Sequence, residues 1–177
     1  MTSTVPMRSE RGFAASLIRT WLTVAVSDGL FASSVGLVVA PFVSPAQLFR
    51  GVASVLFGKA ALEGGAAWSL AGVAMHFSVA LFWSALFLIA LRNSAGLRRA
   101  ISTIPGAVIV AAIYGMSIWL FMSFVVIPTM VHRPPNITTK FWIQLIGHIP
   151  FVALPMVLLN RRPLELNDVS RKQRQEL

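Results

Sequence analysis

Four apolar runs, at about 20–43, 66–91, 103–127 and 141–159, dominate this chain. Each is near the roughly 20 residues that a helix needs to cross bilayer hydrocarbon. Only 12% of the 177 residues are charged and 56% are hydrophobic, against about 25% charged in a soluble domain. In lipid, a single segment satisfies its own backbone hydrogen bonds only as a helix. The runs therefore predict an all-α, polytopic transmembrane four-helix bundle.

The first run follows Arg8, Arg11 and Arg19, which would suit the n-region of a signal peptide or an N-terminal transit segment. Asp28 interrupts its apolar core, and the run is longer than a typical h-region. We expect it to be retained as a span, with residues 1–19 as a cytoplasmic N-terminal segment and 160–177 as a basic cytoplasmic tail.

The net charge of +9 does not point to nucleic acid, because the basic residues gather at the ends of apolar runs and form no aromatic-interleaved basic face. They set orientation instead. Eleven of the fifteen Lys and Arg fall in the N-terminus, the loop with Arg92, Arg98 and Arg99, and the tail with Arg161, Arg162, Arg171, Lys172 and Arg174. Arg50, Lys59, Arg133 and Lys140 occupy the other two loops. The positive-inside rule places both termini in the cytoplasm. Cysteine is absent, which removes disulfides, Cys-ligated zinc and thiol nucleophiles.

Between the first two spans, Ser44-Pro45-Ala46-Gln47 has the form of a capping box with proline at the first helical position. A short amphipathic outer helix over 45–58 is expected, with Leu48, Val52, Val55 and Leu56 on its apolar face. It is too short to span, so it should lie in the outer interface or fold back on the bundle. Pro128, Pro134 and Pro135 should end the third helix, with Thr138 or Thr139 capping the fourth. Pro150 and Pro155 should bend that last helix. Trp21, Trp68, Trp83 and Trp142 are expected as interfacial anchors.

Helices in lipid associate through close packing of small residues and through interhelical hydrogen bonds. Ala107, Ala111 and Gly115 recur every fourth residue on the third span, and Gly29 and Ser33 repeat that spacing on the first.

Five polar side chains fall within hydrocarbon: Asp28, His76, Tyr114, Gln144 and His148. An ionised carboxylate there is costly unless it faces protein, water or a partner, so Asp28 should point inward. Counted along the helices, His76 and His148 differ in depth by only about 5 Å. Three roles suit this cluster: structural hydrogen bonding that fixes register, a proton or cation path through Asp28 and the histidines, or haem ligation by His76 and His148. Enzyme signatures are missing. Gly58-Lys59 lacks the spacing and the Ser or Thr of a phosphate loop, and no metalloprotease, nucleophile-elbow or dinucleotide fingerprint occurs. His132, beside Arg133, reads as a solvated loop residue.

Arg50 to Phe77, RGVASVLFGKAALEGGAAWSLAGVAMHF, and Tyr114 to Met130, YGMSIWLFMSFVVIPTM, resemble the two signature stretches of a family of uncharacterised four-span bacterial inner-membrane proteins. Gly147-His148 followed by Asn160-Arg161-Arg162 is more distantly similar to YagU-type inner-membrane proteins. The family pattern has an acidic residue matching Asp28 and a histidine before an aromatic matching His76-Phe77. Ser123 stands where members commonly carry Asn. The resemblance implies a fold and a bacterial inner membrane, and no activity.

The expected functions are a non-enzymatic bundle or accessory membrane subunit, a small proton- or ion-linked transporter, or a haem-bearing redox protein. No cofactor is expected outside the haem reading, and no metal site. The expected partners are the lipid bilayer and a second copy or larger membrane complex.

Overall fold

A computed structural model describes residues 7–39 and 43–161, with side chains of the first helix from Gly12 to Val38. The basic tail residues Arg162, Arg171, Lys172 and Arg174 lie outside the described residues, as do 40–42 and the side chains of Arg8 and Arg11. No strand occurs among the described residues. The chain runs through α1 (Met7–Val39), α2 (Pro45–Phe57), α3 (Lys59–Glu63), α4 (Ala66–Asn93), α5 (Ala95–Ala100) and α6 (Ile104–Phe121). A π-helical turn, Met122–Val126, leads into α7 (Ile127–Val131). After a loop come α8 (Thr139–His148), a second π-helical turn, Ile149–Ala153, and α9 (Leu154–Asn160).

Four stretches are long and apolar enough to cross a membrane: Gly12–Val38, Ala66–Asn93, Ile104–Val131 and Thr139–Asn160. This is a multi-pass integral membrane protein. Its outward face agrees, since Leu30, Leu70, Ile113 and Ile146 are each at least 60% exposed, a surface suited to lipid rather than water. The first helix begins in the basic segment before Thr20 and continues unbroken into the first span.

Small side chains make the inner faces. Ala107, Ala111, Gly115 and Ile118 are the buried positions of α6, while its larger Val108, Ile109 and Ile113 face outward. Against α6 lie Val152, Ala153, Met156 and Val157 of the fourth span. The first and last spans are tied near their ends, where Asn160 Nδ2 donates to Thr20 Oγ1 at 2.8 Å and Arg19 Nη2 donates to the Leu159 carbonyl at 2.7 Å.

The capping box forms as expected. Ser44 N–H donates to Gln47 Oε1 at 2.7 Å and the Gln47 amide donates to Ser44 Oγ at 3.3 Å. α2 folds back on α4, with Ala53 fully buried and the backbone of Phe49 against Gly72. Its packed face is thus centred on Phe49 and Ala53. Leu56, expected on the apolar face, is exposed and lies outside this contact. Arg50 donates to the Gly64 carbonyl and Ser69 Oγ donates to the Ala46 carbonyl at 3.0 Å, both tying the first half of α2 to the start of α4.

Proline acts differently from the sequence expectation at one point. Pro128 does not end the third span, which continues to Val131 and stops where His132 enters the left-handed region at φ 52°. The preceding π turn explains it. Ile127 N–H reaches back five residues to the Met122 carbonyl, and this widened turn moves the proline ring off the carbonyl it would strike in a regular helix. The fourth span repeats the device: Leu154 N–H bonds the Ile149 carbonyl immediately before Pro155. Thr138 takes the N-cap position of α8, but its side chain makes no capping bond.

Candidate intramembrane polar site

Asp28 and His76 are brought together by the packing of α1 on α4. Gly29, the residue after Asp28, lies against the imidazole: a Cβ there would lie 3.4 Å from His76 Nε2 and 3.8 Å from Phe49 Cζ. These are ordinary contact distances, so Gly29 faces the imidazole without being required by it. Ser33, one turn on, donates Oγ–H to the Gly29 carbonyl at 2.7 Å within the same helix. Phe49 of α2 and Phe77 of α4 meet the imidazole edge to face, with ring centroids 5.8 and 5.9 Å away. The site is thus walled by aromatic rings.

The hydrogen bonding defines the tautomer. His76 Nε2 lies 2.9 Å from the Ala25 carbonyl. A carbonyl only accepts, so Nε2 carries a hydrogen. The other ring nitrogen, Nδ1, faces Asp28 Oδ2 at 3.9 Å. A neutral imidazole in this tautomer would direct a lone pair at the carboxyl group, which an ionised carboxylate would repel. The arrangement is favourable when one proton is held by the pair, either on Asp28 or on Nδ1. The separation exceeds direct hydrogen-bond contact and suits an ion pair or a water-bridged one. Asp28 Oδ1 is buried and has no hydrogen-bond partner, which is costly for an acceptor in low dielectric. The side chains of His76 and Asp28 retain 14% and 19% exposure, so the pair is not sealed.

His148 occupies the fourth span where α8 meets its π turn. Its Nδ1 lies 2.7 Å from the Gln144 carbonyl, so Nδ1 carries the hydrogen and Nε2 is left as the acceptor. Phe31, one turn beyond Asp28, sits on Gly147, the residue before His148, and stacks on Phe151 with centroids 4.5 Å apart. This sets Gly147 and His148 against the turn of α1 that follows Asp28. On its other side His148 meets Trp119, with centroids at 4.8 Å. Gly115 lies directly beneath: a Cβ there would fall 2.7 Å from the His148 carbonyl oxygen.

The remaining polar candidates separate from this group. Tyr114 donates its hydroxyl to the Trp83 carbonyl at 2.8 Å, joining α6 to α4. Gln144 is buried and serves His148 through its backbone. The tryptophans divide as well. Trp142 is outward-facing. Trp21 instead bonds across helices, donating Nε1–H to the Phe77 carbonyl at 2.8 Å, and Trp83 Nε1 is buried within a cluster of Tyr114 and Phe121. Trp21 turns inward onto a carbonyl of the neighbouring helix, whereas Trp83 Nε1 finds no hydrogen-bond partner and is held by its aromatic neighbours.

Sequence reasoning did not find Phe49, Ala25 or Trp119. Phe49 closes over His76 only through the folding back of α2, and Ala25 contributes a backbone carbonyl that no side-chain pattern reveals. Trp119 falls on the third span at the register of His148, a signal that four-residue spacing from Gly115 could have supplied.

Among the described residues no three His, Asp or Glu side chains gather as metal ligands would. For a haem held by two histidines, His148 offers Nε2, whereas His76 Nε2 is engaged by the Ala25 carbonyl. Ligation by both would require that bond to break. No protein-family model, curated protein or solved structure matches this chain.

Proposed function

We propose that this chain is a small proton- or ion-linked transporter of a bacterial inner membrane, in which Asp28 and His76 take up and release one proton between α1 and α4. The observation that carries this reading is the unsatisfied geometry of the pair: Nε2 donates to Ala25, Nδ1 faces the carboxyl group, and Asp28 Oδ1 has no partner. Trp83 Nε1, Ser84 Oγ and Trp119 Nε1 are also buried without partners, but of these atoms Asp28 Oδ1 alone belongs to an ionisable group. Intramembrane ionisable groups commonly mark ion or proton routes. Arg19, Arg92, Arg98 and Arg161 share one end of the bundle, which supports placing that end, with both termini, in the cytoplasm.

The test is flux in proteoliposomes under an imposed pH gradient, with sodium, potassium or chloride as companion ion. Proton movement above that of empty vesicles is expected, lost in Asp28→Asn and retained in Tyr114→Phe. Wild-type flux at the empty-vesicle level, or unchanged flux in Asp28→Asn, overturns the reading.

A second reading is a non-enzymatic bundle acting as a subunit of a larger membrane complex. It is favoured by Tyr114 and His148, whose bonds to backbone carbonyls suffice to set register. Purification in mild detergent from the host membrane separates the two. A companion chain retained at fixed stoichiometry, with no flux from this chain alone, supports the subunit role. A Soret band after haem supplementation would instead favour the redox reading.

A further inference from the structure

At the end of the bundle opposite α2, the cytoplasmic end in the orientation proposed above, a cavity of about 680 Å³ opens between the first, second and fourth spans. Its volume falls within the roughly 300–1,000 Å³ of small-molecule sites. Four arginines line it: Arg19, Arg92, Arg98 and Arg161. Among the described residues its wall contains no Asp or Glu. The floor is apolar, with Phe13, Leu88 and Ile101.

Three of the four guanidinium groups, those of Arg19, Arg98 and Arg161, are held by backbone carbonyls. Arg98 Nη1 donates to the Leu91 and Arg92 carbonyls at 2.9 and 2.8 Å, the last turn of α4. Arg19 holds the Leu159 carbonyl in α9, and Arg161 Nε and Nη2 both reach the Ser102 carbonyl, at 3.3 and 3.2 Å. Cations are favoured at such helix ends by the dipole. Helix capping accounts for only part of the donor supply, because each guanidinium carries five N–H groups. The remaining donors belong to planar forks whose geometry matches phosphate oxygens. Four like charges around one cavity also repel one another, and a bound anion offsets that repulsion.

We propose that this cavity is a seat for a phosphate ester, its anionic oxygens taken by the arginines and its organic part resting on the apolar floor. Two sources carry that chemistry: the headgroup of an anionic phospholipid, for which basic pockets between spanning helices are suited, and a soluble phosphate ester. The site is independent of the Asp28–His76 pair and of what that pair does.

Native mass spectrometry of the full chain in neutral detergent tests it, with phosphatidylglycerol, phosphatidylcholine and glycerol phosphate as probes. The wild-type chain is expected to retain phosphatidylglycerol in preference to phosphatidylcholine. Arg98→Gln with Arg161→Gln should weaken that retention about tenfold, as loss of charge-assisted bonds implies. Arg133→Gln with Lys140→Gln, which removes the same charge at the opposite end, should leave it unchanged. Glycerol phosphate displacing the lipid with the same arginine dependence assigns the soluble source, and retention of lipid alone assigns the headgroup. Equal retention of the two lipids by the wild-type chain, a comparison that needs no variant, overturns the proposal. So does equal weakening by both double variants.

Discussion

The backbone carbonyl of Phe49 occupies the space that a side chain on Gly72 would need. This approach lets α2 rest on α4 closely enough for the Phe49 ring to reach His76, so a single missing Cβ links the outer hairpin to the intramembrane polar pair. Gly72→Ala should destabilise the protein by about 1–3 kcal/mol, as overpacking against a backbone does. Gly51→Ala, on α2 where a Cβ meets nothing within 4 Å, should be neutral or stabilising by up to about 1 kcal/mol from helix propensity. Unfolding in mixed detergent compares the two, and equal effects would contradict the docking of α2.

Gly115 makes the corresponding approach on the other side of the bundle. A Cβ there would fall 2.7 Å from the His148 oxygen and 2.9 Å from its carbonyl carbon, and a backbone cannot rotate aside as a side chain can. Gly115→Ala should therefore cost about 1–3 kcal/mol and shift the fourth span at its π turn. Faster hydrogen exchange confined to 144–153 would locate the disturbance, and an unchanged exchange map would rule it out.

Tyr114→Phe removes the bond to the Trp83 carbonyl and keeps the ring that packs on Phe87 at a centroid distance of 5.4 Å. Interhelical hydrogen bonds in lipid are worth about 0.6–2 kcal/mol, so stability should fall by that amount. Measured by the same unfolding assay, a loss above that range would show that Tyr114 does more than join α6 to α4.

Ser44→Ala deletes the acceptor for the Gln47 amide. Loss of an N-cap costs about 0.5–2 kcal/mol, and here the effect should be local. Amide exchange at Gln47 and Leu48 should accelerate while the four spans retain their protection.

Much of the architecture was legible from local or periodic signals. The four spans follow from run length, because hydrocarbon thickness sets a minimum for a helix. The cap at Ser44 was readable because both of its partners lie within one turn. Ala107, Ala111 and Gly115 identified the inner face of α6 because, among helices in lipid, large apolar side chains suit either surface and only small ones admit another backbone.

Other features required the assembled helices. Asp28 could be expected to face inward, yet its meeting with His76 depends on the rotation of α1 against α4, and these helices are apolar on nearly every face. Hydrophobic periodicity therefore carries little information about rotation in lipid, where no water distinguishes inside from outside. The inward turn of Trp21 and Trp83 has the same origin, since a neighbour's carbonyl or aromatic ring competes with the headgroup layer for the indole. Pro128 signals a stop in sequence because its ring blocks a regular turn, but a π turn removes the obstruction. The arginines at 19, 92, 98 and 161, far apart along the chain, form one cavity wall only after three spans close. Chain-local chemistry settled which segments are long and apolar enough to enter the bilayer and how they begin; contacts between distant segments settled which polar groups face one another, because those contacts depend on helix rotation and close approach.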